Sequence, residues 1–171
     1  MPLSEPKPAL LLAAHGTRDQ AGVDAFAALA ERVGKLAAAV EALRRDAPVI
    51  ADVAMVASGI TGYPVICKIG DSLSARLSRT ANITLSAAAV RLAHGEAGPG
   101  AIWLVGCAPT ALAEIMSRQV EPALVIGVPV GFVGAADAKD SLRASGLPAL
   151  SNVSEKGDPR WRSRPSTPCS G

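Results

Sequence analysis

The chain has 171 residues, 49% of them hydrophobic and only 3% aromatic, with a formal net charge of +2. That is one domain of ordinary size, with a core that Ala, Val, Leu and Ile must fill. The near-neutral balance excludes a basic nucleic-acid surface, which needs clustered Lys and Arg, and no apolar run reaches the roughly 18 residues of a membrane-spanning helix. The cysteines Cys67, Cys107 and Cys169 form no CxxC pair, so zinc or dithiol chemistry is unsupported and reduced thiols in a cytoplasmic protein fit. No signal peptide is read at the start, because the run Ala9 to Ala14 is too short and no cleavage site follows it.

Short apolar runs then alternate with longer amphipathic stretches. Ala9 to Ala14 reads as a first buried strand, and Gly22 to Leu43 as one helix or two, with Gly34 as the weak point. Ala47 to Asp52 reads as a second strand and Pro64 to Lys68 as a third. Ser86 to His94 is a helix, Ala101 to Gly106 a strand, and Thr110 to Arg118 a helix started by Pro109. Leu124 to Pro129 is another strand and Ala136 to Ala144 another helix. This alternation predicts right-handed βαβ crossovers and a parallel sheet, with ligands bound beyond the carboxyl ends of the strands. From Asp158 to Gly171 the pattern breaks into prolines and arginines without periodicity, which reads as disordered.

Two groups of residues carry chemistry. In the first, His15-Gly16-Thr17-Arg18-Asp19 follows a strand and precedes an amphipathic helix. A histidine there can offer a neutral imidazole to a metal, or it can simply cap the helix; one histidine is not a metal site, since most sites need three or more ligands. The stretch from about residue 8 to 33 resembles the opening of the sirohydrochlorin chelatases. That resemblance makes His15 a metal or substrate residue, while the rest of that domain, with its later histidine, has no counterpart.

The second group is four segments in order: ADVAMVASGITG (51–62), ITLSAAAVRLA (83–93), GCAPTAL (106–112) and GVPVGFVGAADAKD (127–140). The turn Cys107-Ala108-Pro109-Thr110 puts a helix start at the ligand edge of the sheet, and Gly127, Gly131 and Gly134 permit close backbone approach. Plainer readings exist for each: tight turns for the glycines, a helix-start residue for Thr110, a solvated strand-end carboxylate for Asp52, an exposed helix charge for Lys139.

Together the four segments resemble the precorrin-8X methylmutase family. The resemblance implies a flavodoxin-like, three-layer α/β/α fold with a mostly parallel sheet, here incomplete. It also implies a homodimer without cofactor, acting on a tetrapyrrole, precorrin-8X or its cobalt form. The implied reaction of cobalamin biosynthesis moves a methyl group from C11 to C12 and gives hydrogenobyrinate. Substrate-binding positions implied by the matching motifs are Asp52, Met55, Gly59, Thr84, Ser86, Cys107, Pro109, Thr110, Gly131, Phe132 and Lys139. No nucleic acid or membrane partner is expected.

The departures matter as well. The family's histidine-bearing catalytic segment before the first motif has no counterpart, so no catalytic residue is assigned, and Leu85 stands where the family has an arginine. The expected organisation is a chelatase-like fragment over 1–34, a methylmutase-like domain over 35–157, and a tail over 158–171. The expected activity is impaired isomerisation; a non-catalytic tetrapyrrole-binding remnant is the alternative, and a chelatase fragment a third. The tail itself reads as out of frame, because a back-translation of Asp158 to Gly171 shifted by one base yields GSAVAVASLNALLG, the ending the family shows. The coding DNA around codon 157 checks this: codons incompatible with that string contradict it.

Overall fold

The computed structural model describes residues 20–118, 120–130 and 133–152. The expected first strand at Ala9 to Ala14, His15, Gly131, Phe132 and the tail lie outside the described residues.

Helix α1 (Gln20–Arg44) runs through Gly34 without a break. A mid-helix glycine costs about 1 kcal/mol. It is offset here because the helix sets Ala39 and Ala42 against the sheet, and Lys35 reaches back one turn to Glu31 at 2.7 Å. The strands are short: β1 (Val49–Ala51), β2 (Val65–Ile66), β3 (Ile102–Val105), β4 (Leu124–Gly127) and β5 (Ala149–Ser151). All pair in parallel, in the order β2-β1-β3-β4-β5. That is the flavodoxin-like order, so the expected α/β architecture is the observed one.

Each strand feeds the two faces of the sheet by turns. On one face Ile50, Trp103, Val105 and Val125 join Val90 and Ala93 of α4 (Leu85–Ala97), Ala111, Leu112 and Ile115 of α5 (Pro109–Ser117) and Leu142 of α6 (Ala135–Ala144). On the other, Val49, Ile102 and Leu124 meet Ala39 and Ala42 of α1. Leu112 and Ile115 are fully buried, and burial of each such side chain is worth about 1.5–3 kcal/mol. Small residues set the spacing: a Cβ on Gly127 would stand 2.5 Å from Leu142 Cδ2, so β4 and α6 pack only because that side chain is missing.

Three elements differ from the sequence reading. Helix α2 (Ala54–Ser58) buries none of its residues, and α3 (Ser72–Ala81) buries only Ser74. Helix α2 is too short for a helical period to be read, and α3 offers only Leu73 and Leu77, one turn apart, among mostly polar residues. Helix α3 is held at its ends instead: Asp71 Oδ1 accepts the Leu73 N–H at 2.9 Å, and Asn82 closes it in the left-handed conformation with φ of 51°. Strand β5 follows Pro148 as a half-buried edge strand. Among the described residues no helix is long and apolar enough to cross a membrane.

Candidate functional site

The carboxyl ends of the parallel strands form one edge, and the starts of α4, α5 and α6 face the same way. At its centre lies the turn after β3. Asp52, the residue following β1, is 5% exposed. Its N–H donates to Leu104 O at 3.1 Å, which continues the β1–β3 ladder by one step. Its carboxylate then crosses to the turn: Oδ1 accepts the Gly106 N–H at 3.0 Å, and Oδ2 accepts the N–H groups of Cys107 and Ala108, both at 2.9 Å. The plain reading of Asp52 as a solvated strand-end carboxylate is therefore corrected. Buried carboxylates must be hydrogen-bonded, and this one is bonded to three successive amides.

Helix α5 begins directly from that turn, with Pro109 in its first turn and no side-chain cap from Ala108. Beside it α4 starts at Thr84, whose Oγ1 accepts the Ala87 N–H at 3.2 Å. The same hydroxyl donates to Thr110 Oγ1 at 3.0 Å. The two helix starts are thus tied together by exposed hydroxyls. Val56 of α2 closes in from the other side: a Cβ on Gly106 would lie 2.6 Å from Val56 Cγ2, so only glycine lets α2 approach the turn so closely.

The structure brings most of the sequence-predicted residues to this edge. Cys107 and Thr110 are exposed and Pro109 is half-buried; Thr84 is exposed and Ser86 half-buried in the first turn of α4. Met55 stands out from α2 at 74% exposure, and Gly59 ends that helix. Lys139 is set apart from them: it is 1% exposed on α6, which corrects the plain reading of an exposed helix charge. Gly134 starts α6 with φ of 74°, a left-handed conformation that favours glycine. Met55, Val128, Val130 and Val133, all exposed, add apolar surface to the same edge.

Among the described residues no three His, Cys, Asp or Glu side chains are grouped as a metal ion would require. His94 lies in the last turn of α4, with its ring 6.4 Å from that of Trp103. Thr84 starts that helix, so His94 stands at the end of α4 far from it.

Sequence reasoning missed one ionic clamp. Glu114 of α5 receives Arg91 Nε of α4 at 2.7 Å and also pairs with Arg118 one turn on. It locks the two helices whose starts carry Thr84 and Thr110. The signal was faint: an arginine and a glutamate 23 residues apart, each plausible as an ordinary helix charge. Burial pushes the Glu114 carboxyl up, but hydrogen bonds from Arg91 and Arg118 outweigh it and hold the group below the ordinary carboxylate range.

Comparison with known proteins adds the family context. The model of the precorrin-8X methylmutase family (CbiC) matches residues 15–161. The match includes residues 15–33, part of the stretch expected to be chelatase-like, and no comparison shows a chelatase there. Cobalt-precorrin-8 methylmutase of Salmonella typhimurium is 38% identical over 124 residues, which is 68% of this chain and 59% of that protein. The protein of that name from Methanocaldococcus jannaschii is 34% identical over 122 residues, 69% of this chain and 58% of its own. A precorrin-8X methylmutase structure from Thermus thermophilus superposes with a TM-score of 0.64 at 30% identity, over 72% of this chain and 65% of that one. The chain thus spans about three fifths of the length of these relatives.

The clamp makes a testable statement about acid. A carboxyl depressed on folding contributes stability that is present above its unfolded value, about 4.3, and lost as pH falls through the lower folded value. Glu114→Gln should lower unfolding stability at neutral pH by about 1–2 kcal/mol, and the gap to wild type should narrow as pH falls below about 4. Urea unfolding at pH 7 and pH 3.5 reads it; a gap of the same size at both contradicts the clamp.

Proposed function

Since the chain belongs to the precorrin-8X methylmutase family, we propose that it binds a precorrin-8X-type tetrapyrrole at the carboxyl edge of its sheet and serves the isomerisation that moves a methyl group from C11 to C12. The observation that carries this reading is the mixed character of that edge. Met55, Val128, Val130 and Val133 leave apolar surface open, next to the hydroxyls of Thr84 and Thr110 and the starts of three helices. Exposed apolar surface rimmed by polar groups marks a binding face. A flat macrocycle edged with carboxylates presents the complementary pattern: an apolar disc for the side chains, and anionic arms for the hydroxyls and for the start of α6, which no side chain caps.

Within this reading the chain's own groups bind and orient. The apolar side chains exclude water from one face of the ring. Thr84 and Thr110 offer hydroxyls that donate or accept as the ligand requires. Leu85, 40% exposed in the first turn of α4, adds apolar contact in place of the charge-assisted bond that the motif resemblance implies there. The reaction is an isomerisation, so the methyl group leaving C11 is the one gained at C12 and no co-reactant enters the balance.

The test is an absorbance titration with hydrogenobyrinate followed by incubation with precorrin-8X. The expected outcome is saturable binding at micromolar ligand, weakened about tenfold or more by Val130→Asp, with formation of hydrogenobyrinate measured in the same samples. Binding without turnover would leave the chain a tetrapyrrole-binding protein. No spectral change at micromolar ligand would overturn the proposal.

A further inference from the structure

Three consecutive N–H groups that converge on one point make the kind of concave site that takes an anion from solution. Here Gly106, Cys107 and Ala108 make such a site, and it is already filled from within by the Asp52 carboxylate, 54 to 56 residues away in the chain. Asp52 is held from its backbone side as well, through its N–H to Leu104 O, so its position is set by the β1–β3 pairing. Ala108, which precedes α5, has no side chain able to cap the helix. Asp52 bonds the three amides that lead into the helix, so it fixes the approach to α5 and not its first turn.

We infer that Asp52 is a positioning residue: it acts as a built-in anion that fixes the Gly106–Ala108 turn, presents Cys107 and Thr110 to the ligand, and closes those three amides to the ligand's own carboxylates. The motif resemblance alone makes Asp52 a direct substrate contact. The geometry argues otherwise, because both carboxylate oxygens are occupied by the backbone and the residue is 5% exposed. The side chains it sets, by contrast, are open to solvent at Cys107 and Thr110. The approach of Val56 to Gly106 depends on the same turn, so the carboxylate also fixes how α2, with Met55, sits at the edge.

This inference rests on the tetrapyrrole reading for its ligand but not for its test. Asp52→Ala empties the amide site while leaving its donors in place, so a small carboxylate can refill it. Sodium formate should raise the thermal midpoint of Asp52→Ala relative to sodium chloride at equal ionic strength, recovering most of a loss of about 5 °C. It should leave wild type unchanged. Asp52→Asn keeps the volume, turns an NH2 group on the donors, and leaves no room for formate; it should lose stability without rescue. Hydrogenobyrinate binding, read by absorbance, should weaken about tenfold or more in Asp52→Ala and return with formate.

A midpoint of Asp52→Ala that ignores formate overturns the inference. So does an affinity that stays lost while formate restores the midpoint, since that is what a direct contact predicts. If Asp52→Ala does not fold, Asp52→Asn decides: a wild-type midpoint overturns the inference, and a lowered midpoint that formate cannot raise supports it. If wild type binds no tetrapyrrole, the proposed function falls, and the midpoints still decide the role of Asp52.

Discussion

A carboxylate taken out of water must be given hydrogen bonds in exchange, or its charge is not tolerated. Asp52 meets that constraint with three backbone amides, and much of the functional edge follows. The bonds join the end of β1 to the turn after β3, two strands already paired in the sheet. They fix where α5 starts, and through the Thr84–Thr110 contact they fix α4 beside it. Bonds of this kind, from N–H groups to an ionised acceptor, are about twice as strong as neutral ones. A loop edge can therefore be rigid although many of its side chains are exposed.

The rest of the architecture serves that edge from behind. Leu112, Ile115 and Leu142 bury the α5 and α6 side of the sheet, and the Arg91–Glu114 pair ties α4 to α5. Close contacts at Gly106 and Gly127 leave no space for a side chain at either position. Packing of this density transmits position rather than absorbing it, so the hydroxyls of Thr84 and Thr110 are held by elements that begin far from them in sequence.

Much of this was legible in the chain itself. Buried strands announce themselves as apolar runs, and Ile102 to Val105 and Leu124 to Gly127 fall within the predicted ones. The parallel pairing of the strands followed from the alternation of strands and helices. Helices α2 and α3 went unread for a physical reason: α2 is five residues long, and α3 is mostly polar and buries only Ser74. The motifs around Asp52, Thr84 and Cys107 marked the right edge. What they could not carry was the direction of each side chain. Asp52 points inward to amides and Lys139 is buried on α6, and both were readable from sequence as exposed charges. The pairing of a carboxylate with amides more than 50 residues away exists only once the sheet has formed.

Residue-resolved amide hydrogen exchange measures directly the bonds by which the Asp52 carboxylate holds the three amides of the turn. The amides of Gly106, Cys107 and Ala108 should exchange about a hundredfold or more slowly than freely exposed loop amides, and their protection should disappear in Asp52→Ala while that of the β3 strand persists. Exchange of all three at the rate of an open loop in the wild-type protein would contradict the account.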